Sequence, residues 1–243
     1  MKRFIYLLLM LGMMSVWNNQ QAKAELINIQ FVTEPALQEY SGAAVIGSPG
    51  DTWNLIDGSN VGSEVSLVNS LNEAISGATV NSDGIGLGDN SPSSNGFGST
   101  GTGLLMNQFL VGFDHGISFS GLTPNTTYDL YVYSQGAMAN ENSARLNVQV
   151  NGGSTSTTVP FLNSDSQFIE GKNFLKLFAT TDATGALSIH YSGYDSGVGY
   201  INGIQLQSGS SPTPEPGTMI LMGIGGLTVV LFRRKKPASA AVS

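Results

Sequence analysis

The chain has 243 residues, ten Lys and Arg against seventeen Asp and Glu for a formal net charge of −7, and no cysteine. Absence of cysteine excludes disulfides, thiolate metal sites and a cysteine nucleophile, and the acidic balance excludes nucleic acid as a partner. Charged residues are only 11% while Gly, Ser, Asn and Thr abound, which favours many short strands joined by tight turns.

Lys2 and Arg3 precede an apolar run from Phe4 to about Met14, and a polar stretch then closes at Ala22-Lys23-Ala24. This is the three-part layout of a secretory signal peptide, residues 1–24, with cleavage expected after Ala24. The run is shorter than the roughly 20 residues of a stable span, and an uncleaved N-terminal anchor is the alternative. Between this segment and the C-terminal tail, Arg145, Lys172 and Lys176 face sixteen acids, so the body carries −13. Such a field repels anionic surfaces and favours solubility or cation binding. The body is long enough for one β-sandwich or for two small domains.

In chain order, Ile27, Ile29 and Phe31 alternate as an opening strand. Asp51 and Asp57 flank Trp53 and Asn54. An aromatic ring beside amide and carboxylate groups is the chemistry of a sugar site, and a core tryptophan packed between sheets is the competing reading. From Glu64 to Ala78, Val65, Val68, Leu71 and Ile75 recur at helical spacing. The same stretch also reads as two short strands, Val65–Val68 and Ala78–Val80, around a turn, and the strand-rich surroundings favour that. Residues 81–103 are mostly Gly, Ser, Asn and Asp and predict a long surface loop. Within it Asp83, Asp89 and Asn90, with loop carbonyls, form an oxygen set for Ca²⁺, which takes roughly six to eight flexible oxygen ligands. Their spacing is not that of an EF-hand, and a plain solvated loop is the alternative.

Leu104 to Val111 predicts a strand. Asp114-His115 supplies two partners of a hydrolytic triad, but no Gly-x-Ser-x-Gly accompanies it, and His115 and His190 are the only histidines. No catalytic residue is assigned and the chain is expected not to be an enzyme. In Gly121-Leu122-Thr123-Pro124-Asn125-Thr126-Thr127-Tyr128 a Pro- and Asn-bearing turn leads into a strand whose first large residue is a tyrosine, the setting of a tyrosine corner. This resembles the corresponding strand start of fibronectin type III domains. Asn125-Thr126-Thr127 also fits the N-glycosylation pattern, which arises often by chance.

From Thr127 to Tyr133, Tyr128, Leu130 and Val132 fall on one face and Asp129, Tyr131 and Tyr133 on the other. Leu146, Val148 and Val150 repeat the pattern before an Asn151-Gly152-Gly153 turn. Phe174–Ala179 and Tyr200–Leu206 are further strands, and Leu187, Ile189 and Tyr191 point inward with Ser188 and His190 outward. Tyr131, Tyr133, Tyr191, Tyr194 and Tyr200 are either a platform for saccharide rings or cross-strand pairs. The expected fold is all-β, an antiparallel sandwich over residues 25–207.

At the C-terminus, residues 208–217 form a polar linker containing Pro212-Thr213-Pro214-Glu215-Pro216, which the prolines hold extended. The apolar run Met219–Phe232, within a hydrophobic segment 218–236, ends at Arg233-Arg234-Lys235-Lys236, and residues 237–243 follow. As a helix that run covers roughly 21 Å of a core about 30 Å thick. Snorkelling cations lengthen it and hold the C-terminus on the cytoplasmic side. A buried core helix is the alternative, disfavoured by four adjacent cations at its end.

Pro214-Glu215-Pro216, the Gly-bearing apolar segment and the basic cluster together resemble the PEP-CTERM sorting domain. The resemblance implies recognition by an exosortase, a transient inner-membrane intermediate, removal of the tail, and release or attachment at the surface of a Gram-negative, exopolysaccharide-making cell. Gly50–Asn54, Gly121–Tyr133 and Gly199–Leu206 resemble the galactose-binding-like jelly-roll bodies of such proteins, which implies a jelly-roll-like sandwich. The expected role is a structural, exopolysaccharide-associated surface protein. A carbohydrate-binding module is the alternative and a hydrolase a third reading. No cofactor is expected beyond the Ca²⁺ candidate.

Overall fold

The computed structural model describes residues 25–33, 39–89, 96–136, 145–159, 166–194 and 197–209. The signal segment, the sorting motif Pro214-Glu215-Pro216, the basic cluster 233–236 and Asn90 lie outside the described residues. Residues 24–209 form one compact unit.

Fourteen strands and one five-residue helix are present among the described residues, so the all-β expectation holds for this part of the chain. They are β1 Leu26–Phe31, β2 Asn54–Ile56, β3 Val65–Val68, β4 Ala74–Ser82, β5 Gly86–Asp89, α1 Thr102–Met106, β6 Gln108–Gly112 and β7 His115–Ser120. Then come β8 Thr127–Tyr133, β9 Leu146–Val150, β10 Thr155–Thr157, β11 Phe174–Thr180, β12 Leu187–Gly193, β13 Gly199–Ile201 and β14 Gly203–Ser208. One sheet has the order β11-β8-β14-β1-β2, a second β10-β9-β12-β7-β4-β3, and a third β13-β6-β5. Every pairing is antiparallel except β1 with β2.

The alternating side chains explain the packing. Ile27, Ile29, Leu130, Val132, Ile204 and Leu206 of the first sheet share one core with Val80, Ile117, Phe119, Val148, Leu187 and Ile189 of the second. Leu110 and Ile201 of the third sheet join it. Two sheets packed face to face across one apolar layer make a sandwich. β9 and β10 join through Asn151 at φ 50° and Gly152 at φ 68°, where the Gly153 N–H donates to Val150 O at 2.8 Å; with Gln149 opposite Thr155, residues 151–153 form a short connection around this Asn-Gly turn.

Several elements depart from expectation. Glu64–Ala78 settles as strands, because Val65 pairs with Val80 and Ser66 with Thr79 across a hairpin, although the second strand begins at Ala74 rather than Ala78. Residues 81–103 are not one loop: β4 runs to Ser82, β5 pairs with β6, and Leu87 packs on the core. A single leucine among glycines suffices once a partner strand satisfies the backbone. The predicted strand Leu104–Val111 is half helix, since Leu105 and Met106 are buried from α1 and the strand starts at Gln108. The predicted strand Tyr200–Leu206 divides at Asn202, which ends β13 in one sheet and precedes β14 in another. β2 and β7 were not expected.

The outer face of the first sheet is also covered. Tyr131 and Tyr133 alternate away from the main core, as expected, yet they are buried in a second cluster with Tyr40, Trp53, Leu105, Met106 and Phe174. Beneath it lies a layer of fully buried amides. Gln205 Nε2 donates to Asn28 Oδ1 at 2.8 Å, Asn28 Nδ2 to Thr52 O at 2.9 Å, and Gln30 Nε2 to Leu104 O at 3.1 Å. The Tyr133 hydroxyl donates to Gln205 Oε1 and accepts the Val45 N–H at 3.1 Å. Paired this way, buried polar groups avoid the desolvation cost and fix the register of the covering segments.

Candidate functional site

The predicted sugar-site residues come together, but inside the protein. Trp53 is 3% exposed, its indole N–H donates to Gly42 O at 2.9 Å, and its ring tilts against Tyr40 with centroids 5.4 Å apart. Asn54 Nδ2 donates to Asn28 O at 2.9 Å and Val68 O at 2.8 Å, while its Oδ1 accepts the Val68 N–H at 2.8 Å. Asp51 is buried and accepts the Ser48 N–H at 2.8 Å. These three tie the segment before β2, and β3 beyond it, to the edge of the first sheet. Asp57 is held below the usual carboxylate range by the side chain and backbone of Ser59.

The tyrosines are dispersed. Tyr131 and Tyr133 lie in the second cluster, Tyr191 in the main core, and Tyr200 edge-on to Phe109 at 4.8 Å. Phe174 opposite Tyr133 is a cross-strand pair in register, with centroids 6.1 Å apart. Burial pushes the Tyr133 and Tyr191 phenols well above their ordinary range. Tyr128 is wholly buried, which raises its phenol, while hydrogen bonding to the side chain and backbone of Thr123, in the turn before β8, works the other way; this is the backward contact that a tyrosine corner makes. Only Tyr194, 39% exposed, reaches the surface, with the Arg145 guanidinium 3.5 Å over its ring.

Asp114 does not act with its neighbour His115. Asp114 lies just before β7 and His115 is its first residue, and the two turn to different partners: Asp114 Oδ1 meets His190 Nε2 at 2.9 Å, and His115 Nδ1 meets Asp83 Oδ1 at 3.4 Å. No serine hydroxyl hydrogen-bonds either imidazole among the described residues. Asp83 also accepts the Gly116 N–H at 2.5 Å, and Asp89 is exposed at the end of β5. Among the described residues no three His, Cys, Asp or Glu side chains gather as a metal site.

What the sequence reading left unconsidered is the outer face of the second sheet. Inward residues of β9, β12, β7 and β4 fill the core, so the alternate positions form a surface. Register places Thr157, Asn147 and Ser192 in one row across the strands, Thr155, Gln149, His190 and Gly116 in the next, and Ser188, Ser118 and Asn81 in a third. A fourth row is Ser120, Thr79 and Ser66. No Lys, Arg, Asp or Glu stands at any of these strand positions, although the body around them is strongly acidic. A cleft of about 220 Å³ opens there, lined by Asn147, Gln149, Thr155, His190 and Ser192. The signal was present in the outward Asn-x-Gln of β9 and Ser-x-His-x-Ser of β12.

Residues 212–235 match the PEP-CTERM protein-sorting motif, which implies an exported chain that transits the membrane and is processed by an exosortase. No curated protein matches the chain. Among solved structures the chain is similar to the extracellular domain of ANXUR1 from Arabidopsis thaliana, at 12% identity and TM-score 0.46 over 76% of this chain and 49% of that one. It thus spans about half the length of that ectodomain. It is also similar to a family 35 carbohydrate-binding module from Clostridium thermocellum, at 15% identity and TM-score 0.29 over 50% of this chain and 98% of the other. A further likeness is to the CBM35 from Cellvibrio japonicus Abf62, at 12% identity and TM-score 0.25 over 77% and 88%. At such low TM-scores these likenesses carry no weight on function.

Proposed function

We propose that this is a non-catalytic cell-surface protein, held by its tail in a transient inner-membrane intermediate, then attached at the outer surface or released, and associated through its body with exopolysaccharide. The observation that carries the reading is the coincidence of the sorting motif match at 212–235 with Pro214-Glu215-Pro216, the uncharged run to Phe232 and the basic cluster 233–236. Charge sets the topology: with Arg233 to Lys236 retained inside, Pro214-Glu215-Pro216 faces outward, where an exosortase meets it. We place the boundaries at 1–24 for the signal peptide, 25–207 for a jelly-roll-like body, 208–217 for the linker, 218–236 for the sorting helix and 237–243 for the final tail.

Replacing Pro214, Glu215 and Pro216 together by alanine leaves the apolar run intact, so insertion persists while processing stops. Intact mass and cell fractionation of both forms in the producing host test this. If the wild-type chain also stays in the inner membrane with residues 217–243 attached, the tail is a plain anchor and the sorting role fails. The carbohydrate-binding reading of the body is favoured by the uncharged face of the second sheet and its cleft.

A further inference from the structure

We propose that the cleft on the outer face of the second sheet, lined by Asn147, Gln149, Thr155, His190 and Ser192, is the glycan-binding site of the body and takes an uncharged polysaccharide chain. The proposal rests on the reading that the body engages exopolysaccharide, and it names the place and the ligand class.

The chemistry of the lining selects the class. A neutral sugar offers hydroxyls that both donate and accept, and the complementary surface is one of amides, hydroxyls and an imidazole. The outward positions of β9, β10 and β12 present these groups. Rows repeat across neighbouring strands at about 4.8 Å, so one row offers a polar group at each strand to a chain lying across the sheet. Part of the set is spent on holding the lining in place. Thr157 Oγ1 donates to Asn147 Oδ1 at 2.7 Å, Asn147 Nδ2 to Gly193 O at 3.1 Å, and Gln149 Nε2 to Gly153 O at 2.5 Å. His190 is held through Nε2 by Asp114. The remaining capacity faces outward: Gln149 Oε1, Thr155 Oγ1 and His190 Nδ1 make no hydrogen bond among the described residues. Anchored side chains with unspent donors and acceptors lose little rotamer freedom on binding.

Charge argues against a polyanion. The body carries −13, and Asp114 stands beside the cleft, so a uronate or sulfated chain meets repulsion that a neutral chain does not. Arg145 does not alter this, since its guanidinium lies over Tyr194 and its Nε donates to Thr158 O at 3.1 Å. The lining stands on paired strands of the sheet, which suit a site better than a loop does.

The test uses mature protein purified from the producing host, run in native affinity gels containing a neutral glucan, a neutral galactan, a neutral mannan, polygalacturonate, or the host's own exopolysaccharide. The triple variant Gln149→Ala/Thr155→Ala/Ser192→Ala removes ligand-facing groups without touching the core. The double variant Ser66→Ala/Ser120→Ala alters the far side of the same face. Circular dichroism and urea unfolding confirm that both fold. Retardation in at least one neutral gel, weakened about tenfold in the triple variant and unchanged in the double, is the expected result. Equal retardation of wild type and triple variant moves the ligand elsewhere and overturns the site while the association stands. Retardation in polygalacturonate alone overturns the ligand class. Failure to bind the host exopolysaccharide, with neutral chains still bound, removes the underlying role but not the site. Failure in every gel removes both.

Discussion

Replacing Asn202 by leucine removes a side chain that joins three parts of the body. Asn202 is fully buried where the chain passes from β13 in the third sheet to β14 in the first. Its Nδ2 donates to Met106 O at 2.9 Å, Gln108 O at 2.7 Å and Gln135 O at 3.1 Å, and its Oδ1 accepts the Gln135 N–H. Leucine has nearly the same shape and none of these bonds, and the abandoned carbonyls and amide stay buried. Two N–H groups serve the three carbonyls, one of them shared, so at about 1 kcal/mol for each of three full hydrogen bonds the loss is about 3 kcal/mol. That is a large share of the roughly 5–15 kcal/mol that stabilises a domain. With a urea slope near 2 kcal/mol/M the midpoint falls by about 1.5 M. Trp53 is the only tryptophan in residues 25–243, and it is buried in the cluster that Leu105 and Met106 complete, so in that fragment its fluorescence reports the transition. A midpoint shift under about 0.3 M refutes the argument that Asn202 pins the crossing.

The left-handed glycines separate space from backbone strain. Gly121 has φ 66° and an added Cβ falls 2.0 Å from Gly77 O, whereas Gly152 has φ 68° with nothing within 4 Å. Gly152→Ala is expected to cost about 1 kcal/mol and Gly121→Ala about 3 kcal/mol or more in thermal unfolding, and equal losses contradict the packing described. Trp53→Phe forfeits the bond to Gly42 O and some packing, for about 2 kcal/mol by circular dichroism melts, while retention on polysaccharide stays at wild-type strength; loss of retention in a folded variant would return Trp53 to the binding surface. Because burial raises the Tyr133 and Tyr191 phenols, the stability they confer is complete below about pH 10, the unfolded value. It is lost as pH rises from there towards the raised folded values, at up to about 1.4 kcal/mol per pH unit for each tyrosine. Tyrosinate absorbance that reaches the value for all the tyrosines before unfolding contradicts their burial.

Period-two alternation was enough to read β1, β8, β9, β11 and β12, because each buries one face on the main core and each alternate residue declares its side. It failed where burial comes from something outside the strand. Tyr131 and Tyr133 looked like a surface platform because nothing in the β8 sequence says that Tyr40, Trp53 and Leu105 return to cover them. The Tyr200–Leu206 run reads as one strand because Asn202 differs from its neighbours only in polarity, and its partners at Met106, Gln108 and Gln135 are 67 to 96 residues away. The same limit applies to the candidate site, with opposite sign. Asp51, Trp53 and Asn54 drew attention as an aromatic among polar groups, a local pattern that a buried bracket and a sugar subsite share. The uncharged face has no local pattern of that kind. Its Ser, Thr, Asn and Gln are each unremarked on a single strand and become a surface only when six strands are placed in register. Sites built from sheet faces are in this sense properties of pairing, and pairing between strands as distant as β4 and β7, or β7 and β12, follows from core packing that no single segment encodes.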